Sequence, residues 1–151
     1  MIVRPTTEQL LLDCCKELLQ GILPAISDQT AAVRLFMVEQ VLRNAAVRCA
    51  YEIAWMTDEI AVIHTFTEAV IAAAPDEQLE ALLRRSTDAD GGLELDAVVD
   101  RYVKAGELLS RALEATITNE LDDLRREGER LIEVRLDRER TVMAGWSPTG
   151  R

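Results

Sequence analysis

Residues 29–74 contain neither glycine nor proline, and this stretch limits the possible folds more than any other feature of the sequence. Glycine and proline are the residues that most often end a helix, and Pro75 closes the stretch. We therefore expect residues 29–74 to be mostly helical. A seam at steps of three and four residues, the spacing of one helix face, runs through Leu35, Val38, Leu42, Ala45, Cys49, Ile53, Met56, Ile60, Ile63, Thr67, Val70 and Ala74.

This stretch can form one helix or two. The steps from Ala45 to Cys49 and from Cys49 to Ile53 are both four, a stutter that a helix absorbs by local unwinding. Thr57 and Asp58 could instead end one helix and cap another, and we favour a break or bend there. Residues 33–56 are apolar nearly all round, which is typical of a central helix contacted on several sides.

The beginning of the chain predicts a capped helix. Thr6 can cap it, and Gln9, three residues later, completes a capping box. Gly21 and Pro24 are expected to end or kink this helix. The polar turn at residues 27–30 offers the next N-cap.

The second half of the chain predicts two further helices. A short amphipathic helix is expected at residues 76–85, followed by a loop at 86–92. Residues 93–143 contain no proline and could form one helix of about 50 residues, or about 75 Å. Residues 144–151 are expected to be a non-helical tail. The sequence therefore predicts an all-α protein, an antiparallel helical bundle of four to five helices, two of them long, with one domain at 1–143.

The charge of the chain argues against two classes of partner. The formal net charge is −10, from 27 acidic and 17 basic residues. Affinity for nucleic acid comes largely from basic side chains that neutralise phosphates, and anionic membrane surfaces also attract basic segments. We therefore expect neither nucleic acid nor a membrane as a partner. Aromatic residues make up only 4% of the chain, so aliphatic side chains must supply the packing between helices.

The cysteines and the apolar segments bear on location. Cys14 and Cys15 are neighbours on a helix and point about 100° apart, which prevents an unstrained disulfide. With Cys49 the number of cysteines is odd, and we expect three buried thiols in a reducing cytoplasm. The first residues hold no apolar stretch of signal-peptide length. The most apolar region, residues 60–74, is too short and too polar to span a bilayer.

The sequence shows no catalytic or metal-binding constellation. His64 is the single histidine, so the paired Glu-x-x-His motifs of di-iron bundles are absent. Zinc would need four scattered residues to converge. We expect no metal, no cofactor and no catalytic residue, and we interpret His64 as structural, with Glu68 as its local partner. Glu52 and Glu59 are expected to point outward or to pair with arginines.

Residues 120–140 are highly charged, with a narrow apolar stripe. The stripe is a predicted interface between chains, made of Leu121, Leu124, Leu131 and Val134. Opposite charges are spaced four residues apart in Asp122–Arg126, Arg125–Glu129 and Arg135–Glu139.

A second candidate site is a pocket for a small ligand such as an acyl chain. Methionine and aromatic side chains suit an apolar groove, although the same residues also suit a plain core. The candidate residues are Trp55, Met56, His64, Phe66 and Tyr102.

The segment Val3–Ala46 resembles an uncharacterised family of small helical proteins. Members commonly begin Arg-Pro-Thr, reach a Leu-Pro turn and continue with a helix that bears arginine and asparagine. They tend to be encoded beside aminoglycoside-phosphotransferase-like kinases and acyl-CoA dehydrogenases, so the resemblance implies an accessory role beside such an enzyme. The residues that carry it are Arg4, Pro5, Thr6, Leu23, Pro24, Arg34 and Asn44.

Three functions are compatible with these features. The first is a non-catalytic helical accessory or oligomerisation protein, a homodimer or a partner of another protein. The second is an acyl-chain-binding bundle. An enzyme that uses His64 with a carboxylate has the least support, because no further catalytic group is visible.

Overall fold

The computed structural model describes residues 4–87 and 92–143, and these ranges contain five α-helices and no strand. The predicted all-α class with two long helices is confirmed. The predicted tail at 144–151 lies outside the described residues. The helices are α1 (Thr7–Glu17), α2 (Gln29–Ala73), α3 (Glu77–Thr87), α4 (Leu95–Thr118) and α5 (Asp122–Met143).

The chain divides into two compact units. Unit 1 comprises residues 1–52 and 138–151, and unit 2 comprises Ile53–Asp137. The single domain expected at 1–143 stays a prediction. None of the helices in the described ranges is both long and apolar enough to cross a bilayer.

The predicted capping box at the start of α1 is confirmed. The Gln9 N–H donates to Thr6 Oγ1 at 3.2 Å, and the Gln9 side chain accepts from the Thr6 N–H at 2.9 Å. The helix then widens into a π-helical segment, Leu18–Ile22, and tightens into a 3₁₀ turn, Leu23–Ala25. Gly21 and Pro24 lie in these two segments, which is where the sequence predicted the helix to end.

The predicted break at Thr57 is wrong, because α2 runs without interruption from Gln29 to Ala73. The Thr30 N–H donates to the Asp28 carboxylate at 2.9 Å, so Asp28 caps the start. Thr57 Oγ1 donates to the Ile53 carbonyl oxygen one turn earlier, at 2.8 Å. This bond satisfies the hydroxyl within the helix, and Thr57 therefore does not act as a cap.

The predicted 50-residue helix at 93–143 is also wrong, because the chain turns between α4 and α5. Glu120 adopts the left-handed region with φ of 55°. The Glu120 N–H donates to the Ile117 carbonyl at 3.3 Å, and the Leu121 N–H donates to the Thr116 carbonyl at 2.9 Å. This is a Schellman motif. Glutamate stands where glycine is usual, so no local pattern predicts this turn.

In unit 2, successive helices alternate in direction. His64 on α2 contacts Ser86 on α3, so α3 runs back along α2. The Arg135 side chain of α5 reaches Glu59 and Tyr102, on α2 and α4. The apolar core comprises Ile60, Ile63, Phe66, Val70, Leu79, Ala105, Leu108, Leu109 and Ala112.

Gly128 allows α5 to approach the core of unit 2 closely. A methyl group on Gly128 would overlap Leu113 Cδ2 and lie 2.9 Å from Phe66 Cζ. Only glycine, which has no Cβ, fits at this crossing without a shift of its neighbours.

Candidate functional site

The residues predicted to form a ligand pocket do not share one environment. Phe66 is 1% exposed and belongs to the core of unit 2. His64 and Tyr102 are half-buried and bind different polar partners. Trp55 and Met56 are half-buried on α2. The acyl-chain pocket stays a prediction.

His64 forms a buried polar contact with α3. Its Nε2 lies 2.7 Å from Ser86 Oγ, and Ser86 is 4% exposed. Burial lowers the pKa of His64 below its usual value, and the nearby Glu68 partly opposes this. The predicted partner Glu68 therefore acts through its charge, whereas the hydrogen bond goes to Ser86. A serine this deeply buried is poorly placed to attack a substrate, so the contact suits a structural role.

Glu59 is the centre of a polar cluster on three helices. It accepts a hydrogen bond from the Tyr102 hydroxyl at 3.0 Å, and its Oε1 lies 3.6 Å from Arg135 Nε. The guanidinium of Arg135 also stacks over the Tyr102 ring, 4.9 Å from its centre. Glu52 pairs with Arg48, as expected for a carboxylate that lies beside the apolar stripe of residues 35–74. Both carboxylates are thus neutralised within the chain.

The predicted interface stripe on α5 is largely occupied within the chain. Leu124 and Leu131 pack against the core of unit 2, and Leu121 is half-buried at the turn before α5. Val134 is 51% exposed. Of the predicted ion pairs here, Arg125–Glu129 forms at 3.5 Å. Leu124 and Leu131 therefore stabilise the fold of unit 2. An interface between chains along this stripe stays a prediction.

A small cleft lies between α3 and α4, away from the predicted residues. Its volume is about 190 Å³. Arg111, which lines it, is already paired with Glu114 at 2.9 Å. Within the described residues, no three His, Cys, Asp or Glu side chains are grouped as metal ligands. The cleft is lined by Asp76, Gln78, Leu79, Leu82, Arg111, Glu114, Ala115, Thr118 and Asn119.

Unit 1 presents an apolar surface that the sequence did not predict. The segment 33–56 was expected to be a central helix contacted on several sides, but in its first half large apolar side chains face solvent. Val41 is 67% exposed and Met37 is 61% exposed. Among the described residues of unit 1, the large apolar side chains that are more than a third exposed are Leu10, Leu12, Ile22, Val33, Phe36, Met37, Val38, Val41, Tyr51 and Met143.

The interior of unit 1 is small and partly polar. Among its described residues, the buried apolar side chains are Cys15 and Ala46. Glu39 is 1% exposed, and its carboxylate pairs with Arg43 one turn later. The Cys15 thiol donates to the Glu39 carbonyl at 3.6 Å.

The three thiols do not share one environment. Burial raises the pKa of Cys15, as does the Glu39 carboxylate, which makes this thiol a poor nucleophile. Cys14 and Cys49 are exposed, so the prediction of three buried thiols is wrong for two of them. A helical pattern in sequence marks which residues share a face, but not whether another element covers that face.

Comparison of the chain with protein-family models, with curated proteins and with solved structures finds no match. The resemblance of residues 3–46 to the uncharacterised helical family therefore stays a prediction.

Proposed function

We propose that this chain is a non-catalytic helical accessory protein that works by assembling through unit 1. The observation that supports the proposal is the imbalance among the described residues of this unit, which has two buried apolar side chains and ten large apolar side chains that are more than a third exposed. Exposed apolar patches of this kind mark contact surfaces in soluble proteins.

The cost of exposing this surface gives the proposal its physical basis. Burying apolar area contributes roughly 25 cal/mol per Å², and Met37, Val38 and Val41 of α2, each more than half exposed, leave most of their apolar area in contact with solvent. A partner on this surface would bury Val38, Val41 and Met37 together, because they lie within one turn of each other. The same surface is near a neutral charge balance, since residues 1–50 carry five acids and five bases.

The polar clusters support a structural role. His64, Glu59 and Glu39 each bind a partner within the chain. An accessory protein needs no activated group, and it works by holding another chain. The family resemblance adds a kinase-like or acyl-CoA-metabolising enzyme as a class of client.

The test is the mass of the protein in solution, measured by light scattering on a sizing column at two widely separated concentrations and two salt levels. The wild-type chain is expected to be a dimer or larger. Val41→Glu should yield a monomer, because it places a charge in the apolar surface. Val103→Glu is the matched control, since Val103 is a helical valine of unit 2 that is 66% exposed.

Two results would contradict the proposal. One is a wild-type monomer at every concentration and salt level. The other is an assembly that Val41→Glu leaves intact. Circular dichroism of each variant shows whether the helices remain, so that loss of assembly is not confused with unfolding.

A further inference from the structure

A second stripe, on the first half of α2, has the spacing of a coiled-coil seam. It differs from the apolar stripe that begins at Leu35, and it alone is called the seam from here on. Its members follow one another at steps of four, three, four, three and four residues, which keeps them on one face of a helix. The middle of the stripe is apolar and its ends are charged. The stripe consists of Arg34, Val38, Val41, Ala45, Arg48 and Glu52.

This seam faces away from the interior of unit 1. Val38 is 52% exposed and Val41 is 67% exposed, while the buried Glu39 lies on the opposite side of the helix. The side chain of Arg48 is 58% exposed and that of Glu52 is 25% exposed. The seam is therefore accessible to another helix.

The charge of the two units favours a second copy as the occupant. Unit 1 carries seven acids and eight bases, a net charge of +1, whereas unit 2 carries twenty acids and nine bases, a net charge of −11. Two copies of unit 1 can approach without a large repulsion. A strongly charged partner would find little to attract it at unit 1.

The direction of the second copy follows from the charged ends of the seam. In a parallel pair each seam residue meets its own copy, so Arg34 would face Arg34 and Arg48 would face Arg48. In an antiparallel pair centred between Val41 and Ala45, the Arg34 of one copy lies opposite the Glu52 of the other. Valine also then packs against the small Ala45, which allows the helices to approach closely.

We propose that a second copy of this chain binds to the seam, with the two α2 helices antiparallel and Arg34 of each copy paired with Glu52 of the other. This inference rests on the proposed function and specifies its partner. The Arg48 side chain, which already binds Glu52 within the chain, lays its aliphatic part over Val38 of the second copy.

Charge reversal tests the register. Arg34→Glu and Glu52→Arg should each raise the dissociation constant of the dimer about tenfold, because each change turns two attractive contacts into repulsive ones. The double variant should return the constant to near the wild-type value. Arg84→Glu, at an exposed helical arginine of unit 2, is the control and should leave it unchanged.

A cross-linking experiment tests the direction independently. Cys49 is exposed and lies next to the seam. In the antiparallel pair the two Cys49 residues are separated by about 18 Å along the helix axis, so a bifunctional thiol reagent that spans about 12 Å should not join two copies of a Cys14→Ser variant. A parallel pair would place the two Cys49 residues at the same height on opposite flanks of the seam, too far apart for a disulfide but within reach of the reagent, which would then join the two copies.

The outcomes separate the two proposals. A wild-type monomer overturns both. A wild-type dimer that Val41→Glu dissociates, but that the double charge reversal does not restore or that Cys49 cross-links, overturns the antiparallel register and keeps the proposed function. Rescue by the double variant together with absence of the cross-link supports the register.

Discussion

The two units of this chain are built from similar helices but fill their interiors differently. Unit 2 buries isoleucine, leucine, valine and phenylalanine side chains from three helices around Phe66 and Leu108, and α5 packs partly buried leucines against them. Unit 1 buries Cys15, Ala46 and the charged Glu39, and leaves its valines, methionine and phenylalanine in contact with solvent. Both draw on α2. The comparison shows that an apolar helix segment becomes core only where other elements cover it.

The difference also separates two sources of stability. Unit 2 depends on apolar burial, which is large and non-directional. The interior of unit 1 depends on an ion pair, whose desolvation offsets much of its attraction. Unit 2 thus has a large apolar core, whereas the described part of unit 1 buries few apolar side chains.

The largest expected difference between the units comes from truncating a phenylalanine. Phe66→Ala should lower the free energy of unfolding by about 3–5 kcal/mol, because it leaves a cavity in the core. Phe36→Ala, at a side chain already 38% exposed, should cost under about 1 kcal/mol in the monomer. Urea unfolding followed by circular dichroism measures both. Equal losses would show that unit 1 has a core of its own.

Breaking the ion pair of unit 1 should give the next largest effect. Arg43→Met leaves the buried Glu39 carboxylate without its partner, and we expect a loss of about 1–3 kcal/mol. Arg84→Met removes an equivalent i,i+4 pair with Glu80, which is exposed on both sides, and should cost under about 0.5 kcal/mol. If both variants unfold at the same urea concentration, the Glu39 pair does not stabilise unit 1.

Two glycine substitutions should have opposite effects within unit 2. Gly128→Ala should destabilise the protein by about 1–2 kcal/mol, because its methyl group meets Phe66 and Leu113. Gly106→Ala meets nothing within 4 Å, and should stabilise α4 by about 0.5–1 kcal/mol through helix propensity. Thermal unfolding distinguishes the two. A stabilising Gly128→Ala would mean that the core of unit 2 is less closely packed than described.

The smallest expected effect is a dependence on pH that arises in unit 2. Burial lowers the pKa of His64 in the folded chain, so the unfolded chain binds the proton more tightly. This contribution is absent above the unfolded pKa of about 6.5, and it destabilises the fold increasingly as the pH falls below that value.

Since the chain has one histidine, His64→Gln provides a clean comparison. Urea midpoints at pH 7.5 and 5.5 should decrease less on acidification in the variant than in the wild type. An equal decrease in both proteins would show that His64 is not protonated differently in the two states.

Much of the fold could be predicted from sequence because it depends on local signals. The capping box of Thr6 and Gln9, the end of the first helix near Gly21 and Pro24, and the unbroken run before Pro75 are each set by a few neighbouring residues. The turn at Glu120 could not be predicted, since a left-handed glutamate has no distinct sequence pattern. Thr57 does not interrupt α2, since its hydroxyl bonds to the Ile53 carbonyl within the same helix instead of capping a new one.

The candidate site was harder to predict, because exposure depends on residues distant in sequence. Leu124 and Leu131 have the spacing of a helix–helix interface between chains, yet they pack against the core of unit 2 within the same chain. Val38 belongs to the apolar stripe of residues 35–74, which was expected to face a core, yet its side chain is exposed. The partner of His64, Ser86, lies on another helix 22 residues away, where no local pattern points to it.

Gly128 also offers a criterion for recognising relatives of this chain. It is a single glycine in a helix otherwise rich in arginine and glutamate, a kind of segment whose composition resembles that of many unrelated helices. Because this glycine faces Phe66, a chain that retains the same crossing should pair a small residue at the first position with a bulky one at the second. A sequence search weighted on this pair would separate true relatives from helices that match in charge alone.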